Sequence, residues 1–153
     1  MSAILIVILT IFIDQISKYG AFIALKDNDP VVIIDNFFQL SYVKNYGAAW
    51  GILQNQRYFF IALTILVILL LGAYAKTNKN LSKLTIVSFA LIIGGAVGNL
   101  IDRIKMGYVI DFLDVTFGSL YDFPVFNFAD SFIVVGTFLM MYLVIANKYE
   151  KEE

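Results

Sequence analysis

The sequence predicts an all-α membrane protein, with four transmembrane helices, a small extracytoplasmic β-sheet and a short loop helix. Three observations carry that expectation. Of 153 residues, 60% are hydrophobic and 15% charged, with a mean hydropathy of +0.82; a soluble domain carries about 25% charge. The apolar residues are segregated into four blocks. The segments joining the blocks run long, short and long, and the long ones carry strand-forming and turn-forming residues.

The four blocks define the spans in order. Residues 3–25 are interrupted only by Asp14 and Lys18, while 58–75, 84–101 and 131–147 hold no charge at all. Each is close to the ~20 residues that cross a ~30 Å hydrocarbon core as helix. The first block has no basic leader, carries Asp14 in its apolar run and is followed by no small-residue cleavage site, so it reads as a retained span. Neither a repeat nor a low-complexity stretch divides the chain, and residues 1–153 read as one integral membrane domain.

Four spans put both termini on one side. Lys76, Lys79, Lys83, Lys148 and Lys151 fall in the short linker and the tail; Lys26, Lys44, Arg57, Arg103 and Lys105 fall in the two long segments. The count is a tie, but the cationic density is far higher in the short pieces. The positive-inside rule therefore predicts cytoplasmic termini and two outward loops.

In the first outward loop, Val31-Val32-Ile33-Ile34 and Phe37 to Val43 read as strands around an Asp35-Asn36 turn. Trp50 suits the membrane interface. The second outward loop contains Gly107, Gly118 and Pro124, which predict a broken segment with one short amphipathic helix before the last span.

Composition excludes much chemistry. The chain has no Cys and no His, which removes thiol nucleophiles, disulfides and His-based triads and leaves a metal only carboxylates, a poor zinc set. No cofactor and no metal are expected, and a net charge of −1 gives no reason to expect nucleic acid. Every acid before the C-terminal tail is Asp. Charges at membrane depth are costly, so several gathered at one level point to a site. Asp111 and Asp130 are the first candidate pair, since two carboxylates held close share a proton and can act as base and acid. From spacing alone Asp130 reads first as a cap of the last helix, as Asp commonly does, and Asp111 with Asp114 is a competing pair. Asp14 and Lys18, four apart, share a helix face and read first as a buried ion pair. Asn45, Asn99 and Asn127 lie near the same outward level, bonding backbone and neighbouring helices or positioning the acids. Asp102-Arg103 reads as an interfacial pair or a loop anchor. Gly94 and Gly98 form a GxxxG spacing that helix packing explains. Ser41 with Lys44 and Ser82 with Lys83 lie away from the acids, so Ser-Lys catalysis is not favoured.

Four blocks in order, Asp14-Gln15-Ile16-Ser17-Lys18, Asn45 to Gly51, Gly94 to Arg103 continuing to Asp111-Phe112, and Phe126-Asn127-Phe128-Ala129-Asp130, together resemble the lipoprotein signal peptidase (signal peptidase II) family. The resemblance implies an aspartic endopeptidase of the bacterial cytoplasmic membrane. It would remove signal peptides from prolipoproteins before a diacylglyceryl-modified cysteine. It implies catalysis by Asp111 and Asp130, with Asp14, Asn45, Asn99, Arg103 and Asn127 in support, and inhibition by globomycin-type cyclic peptides. Expected partners are the lipid-modified substrates and membrane lipid, and a monomer is expected. The rival reading is a small proton- or ion-coupled transporter using Asp14, Asp102 and Asp130 as a relay.

Overall fold

A computed structural model describes residues 2–48, 52–118 and 120–151; Trp50, expected at the interface, lies outside them. Among the described residues, four helices are long and apolar enough to cross a membrane: α1 (Ala3–Leu25), α2 (Arg57–Thr77), α3 (Lys83–Lys105) and α4 (Phe128–Ile145). Four antiparallel strands, β1 (Val31–Ile34), β2 (Phe38–Asn45), β3 (Val109–Phe117) and β4 (Tyr121–Asp122), form a sheet in sequential order. The fold is thus four helices plus a sheet, and "all-α" understates it. The short loop helix is also overturned: among the described residues, the second long segment holds β3 and β4. Val109, Ile110, Val115 and Thr116 are β-branched and favour the pleat; the glycines that suggest a break lie at its flanks.

The helix ends are set by local chemistry. Ser2 and Ser82 accept from the backbone N–H of Leu5 and Thr85 and cap α1 and α3. α3 runs past the apolar block through Asp102 and Arg103, ending where Gly107 takes φ +84°, a left-handed exit that glycine allows without strain. Asn36, with φ 55°, turns β1 into β2. α4 begins three residues earlier than its apolar run because Asn127 caps it and Asp130 completes a capping box.

α3 is the central helix and packs against α1, α2 and α4. Its small residues allow this. A Cβ on Gly94 would lie 2.7 Å from Thr10 Cβ of α1, and one on Gly98 would collide with Asp14 Oδ2. On its other side, a Cβ on Gly95 would strike the Ala129 carbonyl of α4, and one on Gly136 of α4 would lie 2.8 Å from the Ser88 carbonyl of α3. The GxxxG spacing is therefore a packing device, as its sequence suggests. α1 buries the stripe Ile6, Thr10, Asp14, Lys18, Ala21 and Leu25, with its large aliphatics such as Ile4 and Ile8 outward, the distribution expected where the solvent is lipid. At the far end of the bundle, Ser82 N–H donates to the Tyr149 carbonyl at 3.0 Å and Lys151 N–H to that of Asn80 at 2.7 Å, tying the tail to the α2–α3 linker.

β3 carries a bulge at its centre. The N–H groups of Phe112 and Leu113 both donate to the Phe126 carbonyl, at 3.0 and 2.8 Å. Two residues opposing one is the signature of a bulge, which breaks the alternation of faces. Phe112 accordingly clusters with Ala21 and Leu25 of α1, and Leu113 packs against that cluster.

Gly95→Ala should lower thermal stability in detergent by about 1–3 kcal/mol through forced separation of α3 and α4. Gly72→Ala, where a Cβ meets nothing within 4 Å, should be neutral or stabilising by up to ~1 kcal/mol. Equal melting of the two variants would contradict close α3–α4 packing at Gly95.

Candidate active site

Asp111 and Asp130 come from different elements, and Asn127 joins them. Asp111 leaves the sheet on β3, is 1% exposed, and accepts from Asn45 Nδ2 at 2.8 Å and Asn127 Nδ2 at 2.6 Å. Asp130, in the first turn of α4, accepts from Asn99 Nδ2 at 2.8 Å and from the Asn127 backbone N–H at 3.2 Å. Asn127 therefore donates to one acid with its side chain and to the other with its main chain. Its own Oδ1 accepts from Asp130 N–H at 3.0 Å, which fixes the amide so that its NH₂ faces Asp111. The alternative in which Asp130 simply caps α4 is half right: it contributes to the cap while one oxygen is held by Asn99.

Asn99 is oriented in turn by Lys18. The ammonium donates to Asn99 Oδ1 at 2.8 Å and pairs with Asp14 Oδ2 and Asp102 Oδ2, each at 2.9 Å. An ammonium has three donors and no acceptor, and all three are used. Asn127 Nδ2 approaches the same Asn99 oxygen at 3.2 Å. With its carbonyl so engaged, Asn99 must present its NH₂ to Asp130. Asp14, fully buried, also accepts from Ala129 N–H at 3.0 Å, and Asp102 from Ile110 N–H at 3.3 Å. Gln15 Nε2 lies within bonding distance of both acids, at 3.1 Å from Asp14 and 3.0 Å from Asp102. The ion pair read from the Asp14 and Lys18 spacing is real, but a third partner from α3 makes it a tertiary lock.

Arg103 donates from Nη2 to the Gly47 carbonyl at 3.1 Å and lies 4.8 Å from the centre of the Phe60 ring. The negative charges of Asp130, Asp111 and Asp102 act on its guanidinium. The structure thus places Asp14, Asn45, Asn99, Arg103, Asp111, Asn127 and Asp130 at one end of the bundle. Lys18, Asp102 and Gln15 join them; the four-residue spacing of Asp14 and Lys18 signals the first, whereas the contact with Asp102 crosses from α1 to α3. Asp114 stands apart, accepting from Gln39 at 2.7 Å and Ser41 at 3.0 Å. Of the two serines considered for Ser-Lys chemistry, Ser41 is occupied there and Ser82 caps α3.

Burial, first, and the neighbouring Asp130 charge, second, push the Asp111 carboxyl from 3.8 up to about 7, against the lowering pull of the Asn45 and Asn127 amides. A carboxyl in that condition retains its proton near neutrality. Asp111 and Asp130 border a cleft of about 660 Å³ whose far wall is apolar, formed by Phe123 to Phe126 and by Ile133, Val134 and Val135 of α4. Val134 and Val135 are more than half exposed, so the cleft opens along the flank of the bundle. Such an arrangement can hold an apolar segment beside two acids.

Residues 6–146 match the family described as signal peptidase (SPase) II. A lipoprotein signal peptidase of Caldanaerobacter subterraneus subsp. tengcongensis is 48% identical over 145 residues, which is 94% of this chain and 95% of that protein. One from Clostridium tetani is 42% identical over 142 residues, 93% of this chain and 91% of that one. A solved bacterial membrane enzyme superposes with a TM-score of 0.85 at 35% identity, covering 99% of this chain and 93% of its own. The transporter reading finds no support among these relatives. The chain belongs to the lipoprotein signal peptidase family, aspartic-type signal peptidases II of bacterial membranes that act on lipoprotein precursors.

Proposed function

We propose that Asp111 and Asp130 are the catalytic pair, and that the chain cuts prolipoproteins immediately before a diacylglyceryl-modified cysteine. The observation that carries this reading is the Asn127 bridge, which holds two carboxylates from separate elements at the mouth of an apolar cleft. A signal peptide is an apolar helix whose cleavage site lies near the outer interface. The cleft between α3 and α4 accepts that helix from the side, with the acyl chains left in lipid. The density of lysines in the α2–α3 linker and tail supports cytoplasmic termini, so the acids lie toward the outer face. Asp14, Asn45, Asn99, Arg103 and Asn127 position the pair and the substrate carbonyl. Residues 1–153 act as one unit and as a monomer, and globomycin-type cyclic peptides compete for the cleft.

One proton serves the pair at the start. The ionised acid takes a proton from water, whose oxygen attacks the scissile carbonyl while the protonated acid supports the developing oxyanion. Collapse breaks the C–N bond, and the proton gained from water passes to the leaving nitrogen. No acyl-enzyme forms.

Purified protein incubated with a diacylglyceryl-modified precursor should cut it, whereas Asp111→Asn and Asp130→Asn should each lose about 10³-fold or more in kcat/KM while folding normally. Undiminished cleavage by either variant would remove that residue from the pair.

The raised Asp111 value also sets a pH window. Because its folded value of about 7 exceeds the unfolded 3.8, ionising it opposes folding: the stabilisation is complete below 3.8 and lost as pH rises through about 7. Over the same upper range the shared proton departs, so kcat/KM should fall as pH passes about 7. Thermal melts across that window should show the declining slope in wild type and lack it in Asp111→Asn. Activity undiminished two units above that value would contradict the assignment.

A further inference from the structure

Asp111 borders two hollows at once. Beyond it from the apolar cleft lies a second groove of about 530 Å³, and Asn45, Ala48, Phe123, Pro124 and Val125 border both. The two differ in chemistry. The cleft has its apolar wall along α4; the groove runs over the sheet between Gln39, Asp114, Thr116 and Asp122.

The bulge in β3 makes this groove possible. In a regular strand Asp111 and Asp114 would face opposite ways. Doubling Phe112 and Leu113 against Phe126 puts both apolar side chains in the cluster that includes Ala21 and Leu25 of α1, and Asp111 and Asp114 border the same groove. Gln39 is the cross-strand partner of Asp114. Its amide and the Ser41 hydroxyl both donate to Asp114 Oδ2, holding the carboxylate in place on the sheet.

We propose that this groove, lined by Gln39, Asn45, Asp114 and Asp122 as well as by Val43 and Phe123, binds the mature segment of the substrate, the residues that follow the cut, and that Asp114 selects for a basic side chain among them. The inference rests on the peptidase reading. With the scissile bond at Asp111, the substrate leaves in two directions, and the apolar signal helix occupies the cleft. The polar residues on the other side of the bond then have the sheet-side groove. Asp114 is three residues along β3 from Asp111, about 10 Å at strand rise, which an extended peptide spans with two to four residues. Among the described residues, Asp114 and Asp122 line the groove with one basic side chain, Lys44, whose ammonium lies 5.5 Å from the centre of the Tyr108 ring.

Diacylglyceryl-modified precursor peptides with one signal segment, and with lysine, alanine or glutamate at the second to fourth mature residues, test this in detergent micelles. Wild type should cut the lysine peptides about tenfold better than the glutamate ones, chiefly through KM, the scale of one favourable ion pair. Asp114→Asn should reduce that ratio to about twofold while retaining activity on the alanine peptide. Equal kcat/KM for the three peptides in wild type would overturn the groove's selectivity, and an unchanged ratio in Asp114→Asn would overturn the role of Asp114. Should that variant misfold, a peptide ending at the modified cysteine gives a second measure. It should show a KM about tenfold above that of one with five further residues, and equal KM values would overturn the groove itself. Failure to cut any of the peptides would instead overturn the peptidase reading on which the groove depends.

Discussion

A lysine ammonium buried in a lipid-facing bundle must find all its acceptors inside the protein, and this need ties three helices together. Lys18 is 2% exposed and meets it with Asp14 on its own helix and Asp102 and Asn99 on α3. Asp14 extends the tie to α4 through the Ala129 N–H. Leaving one member of such a set unpaired costs about 3–5 kcal/mol in a protein interior. The set is therefore both a fastener and a ruler. It fixes the depth at which α1, α3 and α4 meet, and through Asn99 it decides which end of an amide faces Asp130.

From there the arrangement propagates by directionality more than by proximity. Each amide in the relay has one acceptor and one donor end, and each acceptor end is already committed: Asn99 to Lys18, Asn127 to the first turn of α4, Asn45 to the Gly47 N–H at 2.9 Å. Their donor ends are left to converge on Asp130 and Asp111. An acid pair in so little water can hold a proton at neutral pH, and the amides keep the two groups oriented without neutralising either. The small residues of α3 matter to this indirectly. They let α1 and α4 come close enough for Asp14 to sit against Gly98 and for Ala129 to sit against Gly95.

The spans and the first two strands are legible in the sequence because their periodicities and apolar runs are local. Val31 to Ile34 and Phe37 to Val43 have the composition and turn residues of a hairpin, and the structure differs only at the margins, with the second strand over Phe38–Asn45. The segment after α3 misleads because Gly107 and Gly118 read as breakers of the whole stretch, when they lie outside the β-branched residues that form β3. Its bulge has no local signature at all; it depends on Phe126 meeting two N–H groups from another part of the chain. The candidate acids stand out as charges in an apolar sequence, and the family resemblance ranks Asp111 with Asp130 above Asp111 with Asp114. Spacing alone does not show the contact of Lys18 with Asp102, or that Asn127 faces both acids, since those are tertiary facts. The sheet's two-sided use of β3, with Phe112 against α1 and Asp111 and Asp114 bordering one groove, comes from the same unreadable bulge.

The proposed chemistry depends on one proton held near the paired carboxylates at neutral pH. Infrared difference spectra of detergent-solubilised wild type and Asp111→Asn, recorded with ¹³C-labelled aspartate across a pH titration, observe that proton directly. Wild type should show a protonated-carboxyl band that disappears as pH rises through about 7, and the variant should lack it. A wild type in which every difference band has already titrated near the ordinary value of 3.8 would contradict a shared proton.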